Sequence, residues 1–201
     1  MELYRLGKKE LNKAAEILGK AYMENPALHY MIPEKEKLRK KIKELFKVQL
    51  RLRFQKGEIY ASSPNLEGVI AWECSDNFET TFIKLLKAGG LSLILKIGIA
   101  ATKRVLSVVE FYDSLHLQHM KNPHWLLGPF GVDPPYQGKG IGGSMLRTFF
   151  EIADNSQFPI YLYTDKEKNY MMYLHMGFQL VEKAIYPDGI FPIWFMIRQS
   201  K

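Results

Sequence analysis

Cysteine is nearly absent: Cys74 stands alone among 201 residues. That excludes an internal disulfide framework and any metal site built from several cysteines. It fits a reducing compartment, so a cytoplasmic protein is expected. A long uncharged apolar run is missing too. The most apolar stretch, Leu85 to Val109, is interrupted by Lys87, Lys96, Lys103 and Arg104, and nothing there reaches the ~20 residues that span a bilayer. Residues 1–20 alternate charged and apolar side chains and lack the apolar centre of a signal peptide. The expectation is a soluble protein with no membrane partner. Acidic tracts and Ser/Pro-rich tracts, the marks of disorder, are also wanting.

What is present can build a sizeable core. Hydrophobic residues make up 47% and aromatic residues 13% of the chain, and the length predicts a single domain over residues 1–201. The net charge of +7 is uneven: residues 1–60 hold 15 Lys and Arg against 8 Asp and Glu, and the remainder balances at 13 of each. Most of the excess lies between Glu34 and Lys56. One reading is a patch for an anionic partner such as nucleic acid. The favoured reading is a solvated helix face, with Leu38, Ile42, Leu45, Phe46 and Leu50 on the buried side. Nucleic acid is the disfavoured partner, because no Gly/Arg repeats accompany the charge.

Periodicity predicts a strand at Glu2–Leu6, a helix from Lys8 to Tyr22 stopped by Asn25-Pro26, and the basic helix from Glu34 to Gln55. Strands at Glu58–Ser62 and Glu67–Glu73 follow, joined by Ser63-Pro64-Asn65. A long helical insertion, about 76–121, breaks at Gly89-Gly90. Beyond it come a strand (Trp125–Val132), a helix (Gly140–Ala153), a strand (Ile160–Thr164), a helix (Lys166–His175) and strands at Phe178–Lys183 and Ile190–Arg198. The fold class is α/β on a mixed sheet, with any ligand at the C-terminal ends of its parallel strands.

The segment Val132-Asp-Pro-Pro-Tyr-Gln-Gly-Lys-Gly-Ile-Gly-Gly143 carries the strongest signal. Its glycines let backbone N–H groups approach a ligand closely. The loop opens onto a helix whose unpaired N–H groups and positive dipole end favour an anion, and Lys139 adds a cation. The parts together suit a pyrophosphate. Gly138, Gly140 and Gly143 satisfy the dinucleotide pattern G-x-G-x-x-G, but five residues separate the strand from the glycines. The 58 residues after Gly143 leave no room for a second βαβ half. No Lys-Ser or Lys-Thr follows the glycines, which disfavours a P-loop; a plain structural turn is the remaining reading.

Gln137 to Gly142 is similar to the Q/R-x-x-G-x-G/A motif of the GCN5-related N-acetyltransferase (GNAT) superfamily, where it follows a strand ending like Gly131-Val132-Asp133-Pro134. Asn169, Tyr173, Gly177 and Phe178 resemble that family's N-x-x-x-Y-x-x-x-G-F motif. The resemblance spans Trp125 to Lys183. It implies a GNAT fold, a mixed and mostly antiparallel sheet flanked by helices, and acetyl-coenzyme A as acyl donor to a primary amine, with no metal. It further implies that backbone groups of Phe130 and Val132 pair with the pantetheine, with Gly131 between them also at the cofactor, and that Gln137, Gly138, Lys139, Gly140, Ile141, Gly142 and Gly143 hold the pyrophosphate. Asn169 would touch the cofactor or cap its helix. Tyr173 would stand by the leaving thiolate, protonated because an ordinary phenol has a pKa near ~10.

The general base departs from the histone-type pattern, whose strand glutamate falls here on Leu126. His124, two residues earlier on the same strand face, and Glu73, at the end of the neighbouring strand, are the candidates, with Asp113 next. Asp113, His116 and His119 could share a helix face and bind a metal, but a pocket-lining role is preferred. Cys74 reads as a bystander, since the acidic neighbours Glu73 and Asp76 disfavour a thiolate. The apolar insertion, with Leu91, Leu93, Ile94, Leu95, Ile97 and Ile99, must be covered by something; it forms either a lid over the acceptor or a homodimer surface. Behind catalysis stand two alternatives, a non-catalytic acyl-coenzyme A sensor and a nucleic-acid-associated protein using the basic helix.

Overall fold

Alternation along residues 68–74 turns Val69 and Ala71 to one side of a strand and Ile70 and Trp72 to the other, and all four are buried. A strand with two apolar faces needs cover on both sides. The computed structural model describes residues 1–55, 57–75 and 82–201, and in it this strand lies within one seven-stranded sheet. The strands are β1 (Tyr4–Arg5), β2 (Glu58–Ala61), β3 (Gly68–Cys74), β4 (Trp125–Val132), β5 (Ile160–Thr164), β6 (Gln179–Ile185) and β7 (Pro192–Arg198). Their order is β1-β2-β3-β4-β5-β7-β6. Every pairing is antiparallel except β4 with β5. The mixed, mostly antiparallel sheet flanked by helices is the one predicted.

On one face, α7 (Ile141–Ser156) and α8 (Glu167–His175) cover Ile70, Trp72, Leu127 and Leu162. Phe149 of α7 is fully buried and stacks on Trp72 with ring centroids 4.4 Å apart. The opposite face lies under α1 (Leu11–Ala21), α3 (Leu38–Phe54) and α6 (Ile99–His119). The first helix ends at Ala21, before the expected stop. Asn25 and Pro26 instead open a short second helix, α2 (Pro26–Met31): the Asn25 side chain accepts a hydrogen bond from Leu28 N–H, and proline suits the first helical position.

The basic helix buries Leu38, Ile42, Phe46 and Leu50 as its apolar stripe requires. Its cations are largely answered: Arg39 and Lys43 meet Glu16, Lys41 meets Glu34, and Lys47 meets Glu44. Lys56, the last cation of the run, lies outside the described residues.

Residues 76–81 of the expected insertion, Asp76 included, also lie outside them. The rest forms α4 (Phe82–Ala88), α5 (Gly90–Ile97) and α6. The break at Gly89 is the predicted one. A second falls at Gly98, hidden in the sequence because apolar spacing runs on through it; both glycines have positive φ, 103° and 87°. Leu93, Ile97, Val105, Val108 and Tyr112 are buried against the core, whereas Leu91, Leu95 and Ile99 stay exposed. Tyr112 packs on Tyr163 of β5 at 4.4 Å, so α6 forms a wall over this side of the sheet. Among the described residues no helix is long and apolar enough to cross a membrane.

Three histidines fasten the end of that wall. His119 Nδ1 lies 2.8 Å from the Tyr161 hydroxyl, and its Nε2 lies 2.8 Å from Glu182. His116 Nε2 and His124 Nε2 are hydrogen-bonded across 2.6 Å. Asp113 is exposed on α6 and takes no part in this bonding. Among the described residues, no group of three or more His, Cys, Asp or Glu is placed to hold a metal.

Burial, then the charges of His124 and His119, push His116 down to about 4. The unfolded chain therefore takes up a proton between pH 6.5 and 4 that the folded chain refuses. Stability should fall as pH drops through that window, by up to about 3 kcal/mol. Urea midpoints at descending pH should show this loss, and His116→Gln should flatten it. Phe149→Ala should cost about 3–5 kcal/mol, and Ile152→Ala on the exposed side of the same helix under about 1 kcal/mol, by urea unfolding at neutral pH.

Candidate functional site

β4 and β5 are hydrogen-bonded only at Trp125↔Ile160 and Leu126↔Tyr161. Trp72 of β3 faces Leu127 and Ile70 faces Phe130, so Gly128 and Pro129 together oppose the single residue Ala71. This bulge turns β4 away from β5 while β3 still holds it. The freed edge needs partners. Tyr22, just past α1, supplies them at Phe130: its hydroxyl donates to the Phe130 carbonyl at 3.0 Å and accepts from the Phe130 N–H at 3.4 Å. Gln137 Nε2 donates to the Val132 carbonyl at 2.9 Å. The two strand residues expected to pair with pantetheine are thus the two whose edge groups side chains now satisfy.

After Val132 a short 3-10 turn, Pro134–Tyr136, leads into the glycines. Gly138 and Gly140 have φ of 75° and 79°, and a Cβ at either would meet nothing within 4 Å. The loop is therefore bent by conformations that glycine alone adopts readily, and its concave side is open. Gly142 is needed for a different reason: a Cβ there would stand 3.1 Å from the Phe130 ring. α7 begins at Ile141 without a side-chain cap, so its first N–H groups are free to meet an anion. Lys139 lies over the Tyr136 ring at 5.3 Å, beside the loop. An open cradle of glycines, unclaimed helix N–H groups and one cation fits a pyrophosphate. A cleft of about 780 Å³ adjoins it, lined by Lys20, Met23, Glu24, Arg39, Asp133, Pro134 and Gln137 among others. It reaches neither Tyr173 nor Glu73.

Tyr173 of α8 is 7% exposed, with its ring against Phe178 at 5.4 Å. Burial, then the neighbouring Tyr22 hydroxyl, pushes its pKa well above the ordinary phenol value. Tyr22 itself is pushed up to about 12, first by burial. Tyr22 thus stands at the gap between β4 and β5, with Tyr173 within its electrostatic range. Asn169 does not cap its helix, whose N-cap is Lys166; its amide donates to Thr164 Oγ1 at 3.4 Å.

Glu73 is the cross-strand partner of Leu126. Partners at one register position share a face, so this carboxylate stands beside the place where a carboxylate at 126 would have stood. His124 does not. It sits at the closed end of the β4–β5 pair, 2% exposed, with Nδ1 held by the Asn122 carbonyl at 2.7 Å and Nε2 by His116. Both ring nitrogens are engaged, which corrects its assignment as a base. Asp113 is raised above the ordinary carboxylate range by desolvation and by Glu73, and lowered less by Arg53.

Sequence reasoning passed over Tyr22 and Arg53. Tyr22 looked like one more apolar position on α1. Arg53 was detectable: it stands seven residues after Phe46 and three after Leu50, on the buried stripe, where an apolar residue belongs. Its side chain is 10% exposed and lies 2.8 Å from Glu73.

The acetyltransferase (GNAT) family model matches residues 55–178. A Schizosaccharomyces pombe protein described as an uncharacterized N-acetyltransferase is 25% identical over 212 residues, covering 100% of this chain and 84% of its own. A Corynebacterium glutamicum structure, described as a histone acetyltransferase and related acetyltransferase, superposes with a TM-score of 0.69 at 19% identity, covering 100% of this chain and 98% of that one. Arylalkylamine N-acetyltransferase 2 from Aedes aegypti does so with a TM-score of 0.63 at 14% identity, covering 100% and 99%. At these identities the two structures speak for the fold.

Gly140→Val would force a β-branched residue into positive φ at the start of α7. Its affinity for coenzyme A, measured by calorimetric titration, should fall about 10-fold or more, while a wild-type value would remove the loop from the binding site.

Proposed function

The chain belongs to the acetyltransferase (GNAT) family and is an acyltransferase; from that premise we propose that it moves an acetyl group from acetyl-coenzyme A to a primary amine of a small molecule or peptide, by direct attack. The observation that carries this reading is the pairing of the open glycine cradle with the gap between β4 and β5. A pyrophosphate at residues 138–143 would leave the pantetheine pointing along the freed edge of β4. There an amide would exchange for the Tyr22 hydroxyl at Phe130 in the manner of an added strand.

When bound, the coenzyme supplies an activated thioester, so no protein nucleophile is needed. Glu73 takes a proton from the acceptor ammonium, directly or through water, leaving the amine lone pair free. Nitrogen bonds to the acetyl carbon and the carbon–sulfur bond breaks. The second nitrogen proton passes to the sulfur beside Tyr173. Products are the amide, the free thiol and one proton. Tyr173 suits its post because a phenol raised above its ordinary value keeps its hydrogen and offers it as a hydrogen bond.

Calorimetric titration with acetyl-coenzyme A, followed by thiol release across an amine panel, tests the proposal. Absence of binding at micromolar levels would sink it, and binding without turnover would turn it into the sensor reading. Tyr173→Phe should lower kcat about 10- to 100-fold with little change in coenzyme affinity; unchanged turnover would strip Tyr173 of its role.

A further inference from the structure

The face of the sheet covered by α3 and α6 buries a charge that the described residues do not fully satisfy. Arg53 stands at a stripe position of α3 that packing would give to leucine. Its Nη1 touches Glu73 Oε1 at 2.8 Å as an ion-pair contact. Even so, neither Nη1 nor Nε, both shut off from solvent, has a partner in hydrogen-bonding geometry among the described residues. A buried guanidinium N–H left unmade is costly, and native structures tolerate few such groups without a use for them. Glu73, Tyr163, Tyr22 and Asp113 lie within electrostatic range of this guanidinium. They border the point where β4 leaves β5.

We propose that Arg53 holds the carboxylate of the acceptor, and that the acceptor is an α-amino acid. This rests on the acetyl-transfer reading. An α-amino acid carries an ammonium and a carboxylate on neighbouring carbons, and the Arg53–Glu73 pair offers the complementary charges side by side. Its carboxylate completes the donors of Arg53, for which the planar guanidinium is well shaped. Its ammonium meets Glu73, which gives up its contact with Arg53 and accepts the proton. A plain amine would answer Glu73 while leaving the Arg53 donors unmet, so the site discriminates against it.

The test compares matched acceptors at saturating acetyl-coenzyme A by thiol release: phenylalanine with phenethylamine, tyrosine with tyramine, lysine with cadaverine. Each amino acid should exceed its decarboxylated partner in kcat/KM by about 10-fold or more, the worth of a hydrogen bond to a charged group. Arg53→Gln should raise KM for the amino acids and erase that preference, whatever it does through Glu73 to the rate common to both sets. The wild-type comparison stands even if that variant does not fold. Amines preferred over amino acids, or equal to them, overturn the inference and leave acetyl transfer intact. An Arg53→Gln variant that turns over and keeps the preference also overturns it. No turnover with any amino acid overturns the inference too, while the acetyl-transfer reading then rests on its own titration and wider amine panel.

Discussion

A parallel strand pair that holds for two residues and then parts leaves a row of backbone groups without their natural partners. Most of the site follows from that. The bulge at Gly128 and Pro129 lets β4 keep β3 while leaving β5, so the sheet stays continuous below and opens above. Buried amides cannot be left unpaired, and here two side chains from flanking segments answer them. Neither fills the gap with backbone, and on the proposed reading both give way to an incoming amide. The same divergence delivers the chain to the glycine loop, where the first N–H groups of α7 extend the run of unclaimed donors.

The two faces of the sheet differ in chemistry. Under α7 and α8 the cover is apolar and aromatic, with the Tyr173 hydroxyl as its polar tip. Under α3 and α6 the cover includes Arg53, Glu73, Tyr112, Tyr163 and a pair of buried histidines. Burying ionised groups is expensive unless they are paired, and replacing such a pair with hydrocarbon is often stabilising. On the proposed reading, Arg53 and Glu73 stand here for chemistry rather than for stability. The histidines are different: each finds a partner within the wall, and they act as fasteners.

Much of this was legible in the chain. Every strand from Glu58 onward and both helices after the glycine loop follow from periodicity, because each has one apolar face or two and clear turn residues between. The glycine loop was legible because positive φ and close backbone approach leave few residue choices. What escaped notice is tertiary. Tyr22 and His119 act through contacts between segments far apart in sequence, and no local pattern marks a tyrosine that will bond a strand more than a hundred residues away; Arg53 alone left a local sign, as a charge on an apolar stripe. His124 differs for a related reason: it lies just before β4, and the groups occupying its nitrogens come from a preceding loop and from α6.

The wall formed by α6 belongs to a segment inserted between two neighbouring strands of the sheet. The glycine cradle and Tyr173 come from a later stretch, encoded without interruption from β4 to α8. On the proposed reading, the donor is recognised by that later stretch, and the acceptor by Arg53 and Glu73, which precede the inserted segment in the chain. A change at Arg53 would then alter which amine is admitted without touching the loop that holds the coenzyme.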